Sequence, residues 1–166
     1  LISRPQMGAQ LPRLALLLAV LQCAAVLAAP DPSPNDWYEL AQSGGRRFLR
    51  AYNKKYLTGD TDYDKGDLSV TAGPPSDMHH FTLVRMGNKV AIRAANGKFV
   101  SYHPKTNWIL DLEYPAKAAE MWTPVKNADG SWSFFESGGH WMSAKEENGD
   151  VTPGDENKKC EKWTLE

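Results

Sequence analysis

A pattern of about ten residues recurs three times along this chain of 166 residues, and no other feature narrows its possible folds as far. Leu49-Arg50-Ala51-Tyr52-Asn53-Lys54-Lys55-Tyr56-Leu57-Thr58 aligns with Ile92-Arg93-Ala94-Ala95-Asn96-Gly97-Lys98-Phe99-Val100-Ser101. A third copy reads Phe134-Phe135-Glu136-Ser137-Gly138-Gly139-His140-Trp141-Met142-Ser143. Each copy reads as strand, tight turn, strand, because Asn-Gly and Gly-Gly tolerate the positive φ that short hairpin turns require. The copies also end alike: Phe81-Thr82, Trp122-Thr123 and Trp163-Thr164 are evenly spaced and follow Met78, Ala119 and Cys160, an apolar or small residue three positions before the aromatic.

Between copy and ending lies a further strand in each repeat, at 67–70, 109–112 and, more weakly, 150–152. Four strands in each of three repeats, about 46–88, 89–130 and 131–166, make twelve. No convincing helix interrupts them; Pro115 to Glu120 allows one helical turn, and Asn35 to Leu40 reads either as a capped turn or as a pairing strand. The fold class is therefore all-β, and the architecture that suits three such repeats is a β-trefoil, a six-stranded barrel closed by three hairpins that leaves no open sheet edge. A two-sheet sandwich is the rival, since strand number alone does not separate the two.

Recurrence also sorts scaffold from site. Leu49, Ile92 and Phe134, then Leu57, Val100 and Met142, then Phe81, Trp122 and Trp163, and lastly Tyr56, Phe99 and Trp141 repeat in kind and read as core or cap packing, each burial stabilising by ~1.5–3 kcal/mol. Residues that break the pattern are free to meet a ligand. Tyr102 and His103 stand where the other repeats carry Gly59-Asp60 and Ala144-Lys145, and Trp108 stands where they carry Gly66 and Gly149. One hairpin would bring Tyr102, His103, Asn107 and Trp108 together, an aromatic face beside imidazole and amide groups, which suits a sugar or a protein contact.

The run Val90 to Ser101, with Ala119 to Trp122 beyond it, resembles the fascin-type trefoil signature, closely over those twelve residues and more loosely across 46–166. The resemblance implies a β-trefoil and, in fascins, binding and bundling of actin filaments. Fascins carry four trefoils in tandem, whereas this sequence holds one. The Gln-x-Trp repeats of ricin-type lectins and the cysteines of trefoil protease inhibitors are absent, although Lys105 or Arg50 would be the natural tip of an inhibitory loop.

Residues 1–28 differ in kind from the remainder. They hold no Asp or Glu, and from Met7 onward Arg13, the apolar run from Leu14 to Leu27 and the small-residue pattern Val26-Leu27-Ala28 read as a secretory signal with cleavage near Ala28. Pro12 and Gln22 leave the run short of the ~20 residues a membrane span needs. Residues 29–45 follow as a Pro-rich spacer and N-terminal segment. The expectation is a secreted, extracellular protein that recognises glycan or protein and acts as a monomer, with actin contact the alternative if the leader is not used.

Charge excludes one class of partner. The formal net charge of −1 becomes −3 without Arg4 and Arg13, so no clustered basic surface of the kind nucleic acid requires is expected. With Cys23 in the leader, Cys160 stands alone, which rules out a disulfide scaffold and leaves stability to the core. The four histidines show no ligand spacing for a metal. The acidic stretch Asp60 to Asp67 fails the calcium-loop pattern because Lys65 takes the glycine position. Ser137 precedes a hairpin turn rather than a nucleophile elbow. No catalytic residue and no cofactor are expected. Cleavage after the basic pair Arg46-Arg47 is disfavoured because Arg47 aligns with strand residues Val90 and Trp132.

Overall fold

The computed structural model describes residues 32–59, 68–103, 108–113 and 117–166, the segment 108–113 as backbone. Its twelve strands are β1 Arg46–Ala51, β2 Tyr56–Gly59, β3 Leu68–Thr71, β4 His80–Met86, β5 Lys89–Ala94, β6 Phe99–His103, β7 Trp108–Glu113, β8 Met121–Lys126, β9 Trp132–Phe135, β10 Trp141–Ala144, β11 Val151–Gly154 and β12 Trp163–Leu165. Six of them close a ring of antiparallel pairs: β1 with β4, β4 with β5, β5 with β8, β8 with β9, β9 with β12, and β12 with β1. The other six form three hairpins, β2–β3, β6–β7 and β10–β11. This is the β-trefoil that the repeats require, and the leader and the stretch Asp60 to Asp67 lie outside the described residues.

Alternation of side chains decides which residues fill the barrel. Along β1 and over the first four residues of β4 and β8, every second residue is buried, the period of a strand with one face on a core. Leu49, Ile92, Phe134, Leu57, Val100, Met142, Phe81, Trp122 and Trp163 are all fully buried. Tyr56, Phe99 and Trp141 are half-buried and sit where each hairpin leaves the barrel, opposite Arg50, Arg93 and Phe135. The turns before them repeat as well. Lys54, Gly97 and Gly139 all have positive φ, 65°, 86° and 103°, so repeat one places a lysine in the conformation the others give to glycine.

A buried polar position, which the sequence pattern did not single out, recurs one residue after Met78, Ala119 and Cys160. His79, Glu120 and Glu161 are 7%, 2% and 6% exposed. Each closes a short 3-10 turn by accepting a backbone N–H three residues back: Ser76 to His79 Nδ1 at 2.9 Å, Lys117 to Glu120 Oε2 at 2.5 Å, Lys158 to Glu161 Oε2 at 2.9 Å. The free end reaches a neighbouring strand. Ser101 donates to Glu120 Oε1 at 2.6 Å, and Thr71 Oγ1 lies 2.8 Å from His79 Nε2. The flanking Met78 and Cys160 are exposed and half-buried respectively.

Residues 35–40, open between turn and strand in the sequence, belong to a helix, α1 Pro34–Ala41. Ser33 caps it: its Oγ accepts from the Asp36 N–H while the Asp36 carboxylate accepts from the Ser33 N–H, and Pro34 occupies the first turn. Trp37 and Leu40 are buried in the same core cluster as the barrel residues, and Arg85 lies over the Trp37 ring at 4.5 Å. Arg47 donates to the Glu39 carbonyl at 2.8 Å, and Lys126 pairs with the Glu39 carboxylate. The chain then enters β1 through Gly45, whose φ of 75° brings it so close to Leu83 that a Cβ would stand 2.5 Å from that carbonyl oxygen.

Candidate functional site

The hairpin β6–β7 holds the residues first suspected of ligand contact, and its register divides them. Tyr102 pairs with Ile109 and His103 with Trp108. Tyr102 shares the inward face of Val100, since residues two apart in a strand point the same way. It is only 7% exposed, with its ring 5.4 Å from that of His140, and burial raises its pKa, with Glu136 adding to the rise. Tyr102 thus lies within the core cluster, with little of its ring exposed. His103 is half-buried, Asn107 lies outside the described residues, and for Trp108 the strand places the backbone opposite His103. Arg50 likewise falls within β1, ion-paired with Glu166 at 2.9 Å, and not on a loop tip; Lys105 lies outside the described residues.

A better-formed site lies on the outer face of the barrel, where the end of repeat three meets the start of repeat one. An open groove of about 690 Å³ is lined by Tyr52, Asp129, Ser131, Asn157, Lys159, Lys162 and their neighbours, within the size range of small-ligand sites. Three segments build it: the residue after β1, the β8–β9 turn, and the 3-10 turn before β12. Hydrogen bonds hold its polar groups in place. Asp129 accepts from the Ser131 hydroxyl at 2.5 Å and backbone at 3.0 Å, and its other oxygen accepts from Lys162 at 2.6 Å. Behind them Asn127 donates to Ser131 and Ser133, Ser133 donates to Asn157, and Asn157 donates back to Asn127.

Electrostatically this groove is balanced. Lys158, Lys159 and Lys162 each have a carboxylate, Glu156 at 2.7 Å, Glu146 at 3.1 Å and Asp129 at 2.6 Å. The Lys162 and Ser131 hydrogen bonds hold the Asp129 carboxyl well below the usual range. Lys159 sits over the Tyr52 ring at 4.6 Å. The Tyr52 hydroxyl is buried without a well-formed hydrogen bond, and burial pushes its pKa up, with Cys160 and Glu146 adding to the rise. Ordered donors and acceptors beside an aromatic ring can bind hydroxyl-rich molecules. Among the described residues no cluster of three metal-ligating side chains occurs, and no helix is long and apolar enough to cross a membrane.

The pseudo-threefold axis repeats this place. Stepping by one repeat carries Lys162 to His80, Thr164 to Thr82 and Tyr52 to Ala95, and a second groove of about 470 Å³ lies there, lined by Arg46, Asp77, His80, Thr82, Arg93, Ala94 and Ala95. The third equivalent position carries Met121, Thr123 and Ser137. Sequence reading passed over both grooves although the signal was present. Tyr52 against Ala95 and Ser137, and Lys162 against His80 and Met121, break the repeat as plainly as Tyr102 does.

Comparison with known proteins bears on the fold. No model of a known protein family matches the chain, and no curated protein matches it. Solved structures do. A GlcNAcα1-4Gal-releasing endo-β-galactosidase from Clostridium perfringens matches over 72% of this chain and 31% of its own, at 15% identity and TM-score 0.64. ThreeFoil, a designed threefold-symmetric protein, matches over 73% and 97% at 16% identity and TM-score 0.65. SeviL bound to asialo-GM1 saccharide matches over 73% and 95% at 13% identity and TM-score 0.62. The chain thus spans about a third of the length of the galactosidase and corresponds to nearly all of the other two. At these identities the likeness establishes the β-trefoil and nothing finer.

Proposed function

We propose that this protein is a non-enzymatic glycan-recognition module that acts outside the cell, and that the groove of Tyr52, Asp129, Ser131, Asn157 and Lys162 is its principal site. The observation that carries the reading is the groove's preorganised polar floor. Asp129 is fixed by Lys162 and Ser131, so its remaining lone pairs are presented to a ligand hydroxyl without further ordering cost. Internal charge balance favours a neutral saccharide over a strongly charged one. The shared fold with SeviL, a protein seen bound to a saccharide, supports the reading, and the leader pattern of residues 7–28 supports export.

The test is a glycan array probed with the wild-type protein and with Asp129→Asn and Asn157→Ala, each confirmed to be folded at the assay temperature by circular dichroism. Loss of a hydrogen bond to the Asp129 carboxylate weakens binding about tenfold and loss of one to the neutral Asn157 amide a few-fold, so the signal should fall in both variants, further in Asp129→Asn. Retention of full signal in both would refute the site. Export is tested by expressing the gene with and without codons 1–28: the protein should reach the culture medium, trimmed near Ala28, only when the leader is encoded.

A further inference from the structure

The second groove has the same place in the fold as the first but lacks its pairing of each cation with a carboxylate. Its centre is a cross-strand row: Arg46 on β1 pairs with Thr82 on β4, which pairs with Arg93 on β5. Residues opposite one another in a sheet share a face, so the two arginines flank Thr82 on the outside of the barrel, their Cα atoms roughly 10 Å apart across two strand spacings. At that separation both guanidinium groups can reach one anion lying over Thr82.

Pseudo-symmetry supplies the comparison. One step beyond the Trp163–Trp132 pair, the corresponding row of the first groove reads Ser131, Thr164, Arg50, and Arg50 is neutralised by Glu166 at 2.9 Å. Threonine is retained at the centre of both rows. Arg46 and Arg93, by contrast, have no carboxylate within 4 Å among the described residues. Arg46 Nη2 lies 3.2 Å from His80 Nδ1, and Arg93 spends only its Nε hydrogen, on the Gly97 carbonyl at 3.3 Å. His80 is itself held by stacking on Phe48 at 4.2 Å, so it fixes Arg46 without neutralising it. The acidic neighbour, Asp77, has a fully exposed side chain 3.8 Å from the imidazole. In a chain of net charge −1, this groove places two such guanidiniums side by side.

We infer that this groove is an anion subsite for an acidic saccharide, taking a sulfate ester or a carboxylate between Arg46 and Arg93 while Thr82 and Asp77 meet neighbouring hydroxyls. Guanidinium suits this task because its planar fork offers paired donors to oxyanions. The inference rests on the reading of the protein as a glycan-recognition module and adds to it a second, charge-selective contact in the adjacent repeat.

The experiment is calorimetric titration of a monosulfated disaccharide, its unsulfated parent and inorganic sulfate into the wild type, Arg46→Gln, Arg93→Gln and the outlying Lys145→Gln. The sulfated sugar should bind the wild type about tenfold more tightly than its parent, the charge-assisted increment of one ion pair. That preference should vanish in both arginine variants, survive in Lys145→Gln, which makes the same change in net charge, and weaken as salt is raised. Backbone amide shifts of Thr82 and Ala94 on adding the sulfated sugar to the wild type give a readout independent of any variant's folding. Equal affinity for sulfated and parent sugars, or shifts that bypass Thr82 and Ala94, would overturn the subsite while leaving glycan recognition intact. Binding of inorganic sulfate with no saccharide bound would overturn the saccharide assignment of this groove, while the array result at the Asp129 groove decides the proposed function separately.

Discussion

Replacing Glu120 by alanine should unfold this domain more readily than any exposed substitution, and the structure sets the size of the effect. Glu120 is 2% exposed and accepts two hydrogen bonds, from the Ser101 hydroxyl at 2.6 Å and the Lys117 N–H at 2.5 Å. Hydrogen bonds to a charged group contribute about 1.5–3 kcal/mol each. Alanine removes both and strands the Ser101 hydroxyl, itself 1% exposed. Relief of the carboxylate's own desolvation offsets part of the loss, which puts the net near the lower sum, about 3 kcal/mol. For a domain of about 120 residues that lowers the melting temperature by roughly 12 °C. Glutamine keeps both contacts, its carbonyl accepting from Lys117 and its amide donating to Ser101, so Glu120→Gln should cost only about 1 kcal/mol. Urea titration of Glu120→Ala, Glu120→Gln and the exposed control Glu147→Ala tests the scheme. If Glu120→Ala fell within about 1 kcal/mol of the control, or if Gln cost as much as Ala, hydrogen bonding at this turn would not be what holds the repeat together.

The repeats supply further tests. Lys54→Gly should stabilise the protein by up to about 1 kcal/mol, because Lys54 has a φ of 65° where the equivalent turns have glycine; an unchanged urea midpoint would contradict this. Gly45→Ala should cost about 3 kcal/mol, since its φ of 75° and a Cβ 2.5 Å from the Leu83 carbonyl both oppose a side chain, whereas Gly44→Ala, with open space, should cost about 1 kcal/mol. Asp129 should titrate well below an ordinary carboxyl by NMR, and Lys162→Met should move it upward. Because its folded value is depressed, Asp129 stabilises the fold above its unfolded titration near pH 4, and that contribution is lost as pH falls through the folded value. An Asp129 titration indifferent to Lys162 would remove the assigned ion pair.

The sequence by itself determined the fold class, because three matching segments must bury three matching sets of side chains, and a closed barrel does so with one solution used three times. Leu49, Ile92 and Phe134, or Phe81, Trp122 and Trp163, were legible because recurrence in kind implies a shared environment. It also showed where the repeat breaks, but not on which side of the sheet each break falls. Tyr102 and Tyr52 are both intrusions into the pattern, yet Tyr102 follows Val100 by two in a strand and turns inward, whereas Tyr52 leaves the end of β1 for the edge of a groove. Burial of His79, Glu120 and Glu161 was hidden for a related reason: a polar residue looks like surface until a turn supplies an N–H and a facing strand supplies a hydroxyl. Tertiary structure decided the candidate sites as well. Tyr52, Asp129 and Lys162 are far apart along the chain, as are Arg46 and Arg93, and only closure of β12 onto β1 and of β1 onto β4 makes them neighbours. Closure of the ring decides whether a row gains a partner charge: Glu166 stands beside Arg50, while among the described residues no carboxylate pairs with Arg46 or Arg93, a difference that belongs to the assembled strands rather than to the repeat.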